Sequence, residues 1–168
     1  MGASATPADA DYDALIGLGS NIGDKAANIR AALDHLTADG AVRLVQISRF
    51  WQSAPWGVED QDWFVNACAA VATDLGPHEL LGRCLAAENA LGRVRVQKWG
   101  PRVVDVDVLT YRGQTIDTPD LKVPHPFIEQ REFVLVPLAE VAPDEVVRGR
   151  SIKDMLGTSD RAGLLALG

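Results

Sequence analysis

The sequence predicts an α+β fold in which helices pack on a mainly antiparallel sheet. Segments with strand and helix patterns follow one another in the order strand, helix, strand, strand, helix, strand. Glycine or proline residues separate these segments. Hydrophobic residues make up 47% and charged residues 23% of the 168 residues, which suits one globular domain. This order of elements is the split βαβ arrangement of a ferredoxin-like sandwich.

The first strand and the first helix occupy residues 14–40. Residues 14–18 are an apolar run that ends in a glycine-bearing turn at 19–23, which indicates a strand followed by a turn. Asp24 is placed to cap a helix and Gly40 to end it. Between them, apolar residues recur at helical spacing, at Ile29, Ala32, Leu33 and Leu36.

Two further strands and a second helix follow. Residues 42–51 alternate between apolar and polar, and residues 63–72 resume a strand pattern after a polar loop. Pro77 suits the first turn of a helix, and Gly92 suits its end. The helix between them has its apolar positions at helical spacing, at Leu80, Leu81, Cys84 and Leu85.

The last strand of the pattern lies at residues 103–111, which are rich in β-branched side chains. Arg112 and Gly113 form the turn after it. We expect a third helix near residues 128–140.

We expect residues 1–13 to form a disordered N-terminal lead-in and residues 14–168 to form a single domain. The opening residues are small, alanine-rich and acidic, and they lack the basic start and apolar stretch of a signal peptide. No apolar run approaches the ~20 residues that a membrane helix needs. These features predict a cytoplasmic protein.

Cysteine content and net charge argue against several classes of protein. Cys68 and Cys84 are too few for a disulfide scaffold or a zinc site, so both are expected to be core thiols. The formal net charge of −7 argues against general affinity for nucleic acid.

Asp105 and Asp107 are candidate metal ligands. Successive side chains of a strand face opposite sides, so the two aspartates share one face and the alternating valines share the other. Two residues along a strand span ~6.6 Å, which allows the carboxylates to flank two hard cations about 3.5 to 4 Å apart, as in phosphoryl chemistry. Oxygen ligands suit magnesium. An isolated Asp-Val-Asp is also typical of a solvent-facing strand edge, and that alternative stays open.

A basic segment without acidic residues precedes the aspartates. It contains four cations, Arg93, Arg95, Lys98 and Arg102. Guanidinium groups make forked contacts with phosphate oxygens, while the aspartates would recruit the metal. Trp99 lies beside residues that break regular structure, and a large apolar side chain there indicates a lid that closes over a ligand. The alternative is a solvated basic loop that pairs with the acidic remainder of the chain.

These motifs resemble those of 6-hydroxymethyl-7,8-dihydropterin pyrophosphokinase, a family that makes a folate precursor. The resemblance begins with three segments, Gly92-Arg93-Val94-Arg95, Trp99-Gly100-Pro101-Arg102 and Asp105-Val106-Asp107-Val108-Leu109. It extends over nearly the whole domain through further motifs in order, Gly17-Leu18-Gly19-Ser20-Asn21, Asn66, Val123-Pro124-His125-Pro126, Arg131-Glu132-Phe133-Val134-Leu135 and Pro137-Leu138.

The resemblance implies transfer of the β,γ-diphosphate of ATP to the hydroxymethyl oxygen of the pterin, with release of AMP. It implies two magnesium ions on Asp105 and Asp107, and phosphate contacts by Arg93 and Arg102 that assist the chemical step. It implies ATP contacts by a further set of residues, Glu88, Arg95, Trp99, Arg102, Val108, His125 and Arg131. The family also implies a monomer whose partners are these two small-molecule substrates.

The same resemblance implies a pterin that stacks between Phe64 and Phe133, with Asn66 hydrogen-bonding its polar edge. The rim would be formed by the loop residues Ser53, Ala54, Pro55 and Trp56. This chain departs from the family pattern in having a short stretch between Arg95 and Trp99.

Two other functions compete with this interpretation. In a nucleotidyltransferase a Gly-Ser turn and an acid-x-acid strand lie close in sequence, whereas Ser20 and Asp105 lie far apart. A ferredoxin-like RNA-binding module would present aromatic residues on an exposed sheet with a basic face, which the acidic charge and the aspartate pair oppose. No Ser-His or Cys-His set suggests a covalent intermediate, so direct in-line transfer is expected.

Overall fold

A computed structural model describes residues 11–53, 63–92, 103–157 and 164–167, and a six-stranded antiparallel sheet is its central element. The strands of this sheet are β1 (Ala14–Ser20), β2 (Val42–Ile47), β3 (Phe50–Ser53), β4 (Phe64–Thr73), β5 (Asp105–Tyr111) and β10 (Leu164–Leu167). Their order is β10-β3-β4-β1-β5, and β2 also pairs with β4. The order β3-β4-β1-β5 confirms the predicted ferredoxin-like arrangement.

Two small hairpins lie outside this sheet. The first pairs β6 (Ile116–Asp117) with β7 (Lys122–Val123), and the second pairs β8 (Val146–Val147) with β9 (Arg150–Ser151).

The main helices begin where the sequence places their caps. Helix α1 (Lys25–Thr37) follows Asp24, whose carboxylate accepts a hydrogen bond from the Ala27 N–H at 3.1 Å. Helix α2 (Pro77–Ala90) has proline in its first turn. A 3-10 helix (Ile128–Gln130) precedes α3 (Glu132–Val141), and α4 (Ile152–Gly157) follows the second hairpin.

The sheet has a hydrophobic cluster on each face. One cluster joins β1, β4 and β5 to α1 and α2, and it includes Val104, Val106 and Val108. The other joins Leu15, Cys68 and Leu109 to α3 and α4. Because the valines of β5 lie in the first cluster, Asp105 and Asp107 face the side of α3 and α4, as strand alternation predicts.

Two predicted elements are interrupted in the structure. The strand expected at 42–51 is divided into β2 and β3 near Ser48. There the Ser48 hydroxyl, in place of a backbone carbonyl, accepts a hydrogen bond from the Cys68 N–H at 2.9 Å. The helix expected at 128–140 is divided by the extended backbone of Arg131, at φ −123° and ψ 100°. At Ser48 a side-chain hydrogen bond thus competes with regular backbone pairing.

The packed domain includes two residues that we expected in the lead-in. The Asp13 N–H donates to the Val71 carbonyl oxygen at 2.8 Å, and its carboxylate accepts from the Thr73 N–H at 2.8 Å. Tyr12 packs against the second cluster and its hydroxyl donates to Glu145. Residues 1–10 lie outside the described residues.

Within the described part of the chain, no helix is both long and apolar enough to cross a membrane.

Candidate active site

Strand pairing places the two aspartates at the open part of one sheet face. Asp105 lies opposite Gly19 of β1, and Gly19 lies opposite Asn66 of β4. Because directly paired residues share a face, these three residues form a row across the sheet. Two strand spacings give roughly 10 Å between the backbones of Asp105 and Asn66. This distance suits a small ligand that reaches both side chains.

Glycine forms the floor of this row for a steric reason. A Cβ atom at Gly19 would lie 2.8 Å from Asn66 Oδ1, which is closer than van der Waals contact allows. Asn66 is 8% exposed, and its Nδ2 donates to Ser53 Oγ at 3.2 Å. Gly19 therefore leaves room for Asn66 Oδ1 beside β1, while Ser53 of β3 fixes the amide by accepting from its Nδ2.

Ser20 belongs to the other side of the sheet. It is 1% exposed, and its hydroxyl accepts from Asn28 Nδ2 at 3.3 Å. Although the fold brings β1 beside Asp105, this hydroxyl is directed away from the aspartate face. The geometry therefore gives no support to the nucleotidyltransferase alternative.

Glu88 lies behind the aspartate strand. Its side chain is 2% exposed, and Oε2 accepts a hydrogen bond from the Val106 N–H at 2.7 Å. Val106 stands between the two aspartates, so this carboxylate supports the outer edge of β5. A direct contact between Glu88 and ATP stays a prediction.

The Val108 side chain is buried on the wrong face of the sheet for a contact with ATP. It is 4% exposed and lies in the cluster beneath the sheet, on the face opposite the aspartates. Any contact of Val108 with ATP therefore has to come from its backbone.

His125 lies beside β5. Its backbone N–H donates to the Leu109 carbonyl oxygen at 2.8 Å, and its Nδ1 accepts from the Phe127 N–H at 3.2 Å. With Nδ1 acting as an acceptor, the neutral ring carries its proton on Nε2. Burial lowers the pKa of His125 below its ordinary value of 6.5, and the cations Arg131 and Arg148 lower it further. His125 is therefore a neutral hydrogen-bond donor at pH 7.

Arg131 and Phe133 form a group at the start of α3. The Arg131 guanidinium carbon lies 5.0 Å from the centre of the Phe127 ring and 5.7 Å from that of Phe133. The next residue, Val134, accepts a bond from the Cys68 thiol at 3.7 Å. Since Cys68 lies on the face of Asn66, the start of α3 borders the open face.

Trp51 is a candidate site residue that the sequence did not reveal. It pairs with Asn66 across β3 and β4, and its indole N–H donates to Glu140 Oε1 at 3.1 Å. The Arg49 guanidinium carbon lies 4.9 Å from its ring centre. Phe64, two residues from Asn66, shares this face and is half-buried. The only sequence signal for Trp51 was an alternating strand, which leaves the pairing register open.

Several predicted site residues lie outside the described residues. These are the rim residues Ala54, Pro55 and Trp56 and the basic-segment residues Arg93, Arg95, Trp99 and Arg102. Their roles stay predictions.

The donor set at the aspartates fits magnesium. In the described residues, no group of three or more His, Cys, Asp or Glu side chains is arranged to hold a metal ion. Magnesium is commonly held by one or two carboxylates, with water and substrate phosphates completing its shell. Asp105 and Asp107 supply such a pair on the open face.

Similarity to known proteins identifies the family of the chain. The family model described as 7,8-dihydro-6-hydroxymethylpterin-pyrophosphokinase (HPPK) matches residues 15–143. A 2-amino-4-hydroxy-6-hydroxymethyldihydropteridine pyrophosphokinase of Methylorubrum extorquens is 51% identical over 90% of this chain and 96% of its own length. The Pseudomonas aeruginosa protein of the same name is 42% identical over 89% of this chain and 93% of its own.

Solved structures show the same fold. An HPPK-DHPS crystal structure with substrates aligns with a TM-score of 0.70 at 12% identity, over 88% of this chain and 43% of that one. Plasmodium falciparum HPPK-DHPS with pteroate gives a TM-score of 0.70 at 13% identity, over 87% and 42%. The chain thus spans less than half of these longer proteins. By the family model and its curated relatives together, the chain belongs to the HPPK family.

Proposed function

We propose that the chain transfers the β,γ-diphosphate of ATP to the hydroxymethyl oxygen of 6-hydroxymethyl-7,8-dihydropterin, giving the pterin diphosphate and AMP. The observation that carries this proposal is the row Asp105, Gly19 and Asn66 on the open face of the sheet. It sets a carboxylate pair for metal and phosphate beside a buried amide suited to a heterocycle. Membership of the HPPK family supports the same reaction.

The pterin side of the site is assigned to Asn66, Phe64 and Phe133. Ser53 holds the Asn66 amide in one orientation, so its oxygen can accept from the heterocycle. The two half-buried phenylalanines supply flat apolar surfaces for stacking. The residues at 54–56 are predicted to complete the rim.

The ATP side is assigned to the aspartates together with His125 and Arg131. Asp105 and Asp107 would hold magnesium, which neutralises phosphate charge and orients the transferred group. Neutral His125 can donate from Nε2, and Arg131 adds a positive charge beside it. Arg93 and Arg102 are predicted to contact the phosphates during transfer.

We also propose a monomer that works in the cytoplasm. Cys68 and Cys84 are buried, free thiols, as a reducing compartment favours. Burial raises the pKa of Cys84 to about 12, and the charges of Glu88 and Asp107 add to this effect, so the thiol stays protonated and unreactive.

Substitution of one aspartate tests the site. We expect Asp107→Ala to lower turnover at least about a hundredfold, because metal-ligand loss removes charge stabilisation of the transferring group. The far-ultraviolet circular dichroism and melting temperature should stay near those of the wild type, since Asp107 is exposed.

Asp117→Ala is the matched control. Asp117 is an exposed aspartate of β6 that pairs with Lys122 and is not part of the row Asp105, Gly19 and Asn66, so its loss should leave turnover unchanged. Full activity in Asp107→Ala would remove this residue from the proposed metal site.

A further inference from the structure

The β8–β9 hairpin presents an arginine whose backbone conformation is unusual. Arg148 and Gly149 form its turn, with φ angles of 49° and 85°. The left-handed region suits glycine and asparagine but costs a longer side chain free energy. The local turn therefore gives no reason for an arginine at position 148, whereas the contacts of its side chain do.

The guanidinium of Arg148 joins three points of the segment that carries His125. Nη2 donates to the His125 carbonyl oxygen at 2.8 Å, and Nη1 lies 3.4 Å from the Pro124 carbonyl oxygen. The same group pairs with the Glu129 carboxylate on the 3-10 helix. A planar fork with several donors can serve these acceptors at once, as a lysine ammonium cannot.

This segment determines where the nucleotide-side residues lie. The His125 N–H donates to the carbonyl oxygen of Leu109 in β5, two residues beyond Asp107. Phe127 donates to the His125 ring and lies under the Arg131 guanidinium. A shift of residues 124–129 would therefore move His125 and Arg131 relative to the aspartates.

We propose that Arg148 is a positioning residue for ATP, whose guanidinium holds residues 124–129 so that His125 and Arg131 face the nucleotide. The inference rests on the function proposed above, in which these two residues contact ATP. Arg148 itself needs no contact with a substrate.

Arg148→Asn tests the proposal because asparagine tolerates the left-handed turn but is too short to reach the segment. We expect the KM for ATP to rise about tenfold, and the Kd of a non-hydrolysable ATP analogue measured by calorimetry to rise equally. The KM for the pterin should stay within about twofold. Arg148→Lys keeps the positive charge but loses the planar guanidinium. Its affinity for ATP should therefore lie between that of the wild type and that of Arg148→Asn.

Arg150→Asn is the matched control on the same hairpin. It removes the same charge from a side chain that donates to the Asp154 carbonyl oxygen at 3.3 Å, and ATP affinity should not change. Unchanged ATP affinity in Arg148→Asn, equal losses for both substrates, or the same loss in Arg150→Asn would overturn the proposal. Absence of turnover in the wild type would instead contradict the proposed function, while the calorimetric comparison would still report on Arg148.

Discussion

The side chain of Asn66 and the missing side chain of Gly19 together shape the pterin side of the site. Asn66 and Phe64 lie two residues apart in β4 and so share one face of the sheet, as strand alternation alone predicts. The contact with Gly19 does not, because it depends on which residue of β1 pairs with Asn66. Alternation within one strand does not fix which residues pair across strands, so the pairing of Gly19 and of Trp51 with Asn66 was learned from the structure.

Gly19→Ala should weaken pterin binding. Its Cβ would collide with Asn66 Oδ1, so the amide must turn away and lose its bond to Ser53. We expect the KM for the pterin to rise about tenfold or more, because a misplaced polar group costs roughly 1–3 kcal/mol. Steady-state kinetics with each substrate varied in turn measures this effect.

Gly82→Ala controls for the added methyl group. Gly82 lies in α2, where a Cβ would meet no atom within 4 Å, and alanine favours helix. This variant should keep wild-type KM values. A wild-type KM for the pterin in Gly19→Ala would show that Asn66 does not hydrogen-bond the polar edge of the pterin.

At the scale of elements, β5 is the end strand of the sheet and its outer edge is supported by other segments. Glu88 of α2 accepts from Val106, and His125 donates to Leu109. The strand itself was predictable from β-branched residues, and the face of its aspartates from alternation. Helical spacing from Leu81 and Cys84 places Glu88 on the inner face of α2. Its bond to the Val106 N–H was not predictable, because that bond depends on how α2 packs against β5.

Glu88→Ala should lower stability and activity together. Without the carboxylate the buried Val106 N–H loses its acceptor, which costs about 1–3 kcal/mol of unfolding free energy. Glu88→Gln retains an acceptor oxygen and should restore much of that loss. Urea denaturation of the three proteins measures the difference, and an alanine variant as stable as the wild type would show that the bond does not support β5.

At the scale of the whole molecule, the two faces of the sheet are covered to different extents. Helices α1 and α2 cover one face, whereas α3 and α4 cover part of the other and leave the aspartate row open. The element order predicted this sandwich because few topologies accommodate a split βαβ pattern. The resemblance to the HPPK family already implied that Asn66, Asp105 and His125 belong to one site. The contacts of Gly19 with Asn66 and of Arg148 with His125 could not be predicted, because they depend on strand pairing and on a hairpin far along the chain.

The central claim is that this face transfers diphosphate and not a single phosphoryl or nucleotidyl group. The direct measurement supplies the full chain with magnesium, ATP and 6-hydroxymethyl-7,8-dihydropterin, and identifies products by phosphorus NMR and ion-pair chromatography. The account predicts AMP and a pterin carrying two phosphoryl groups, formed in equal amounts. ADP with a pterin monophosphate, free diphosphate with an adenylylated pterin, or no pterin product would contradict it.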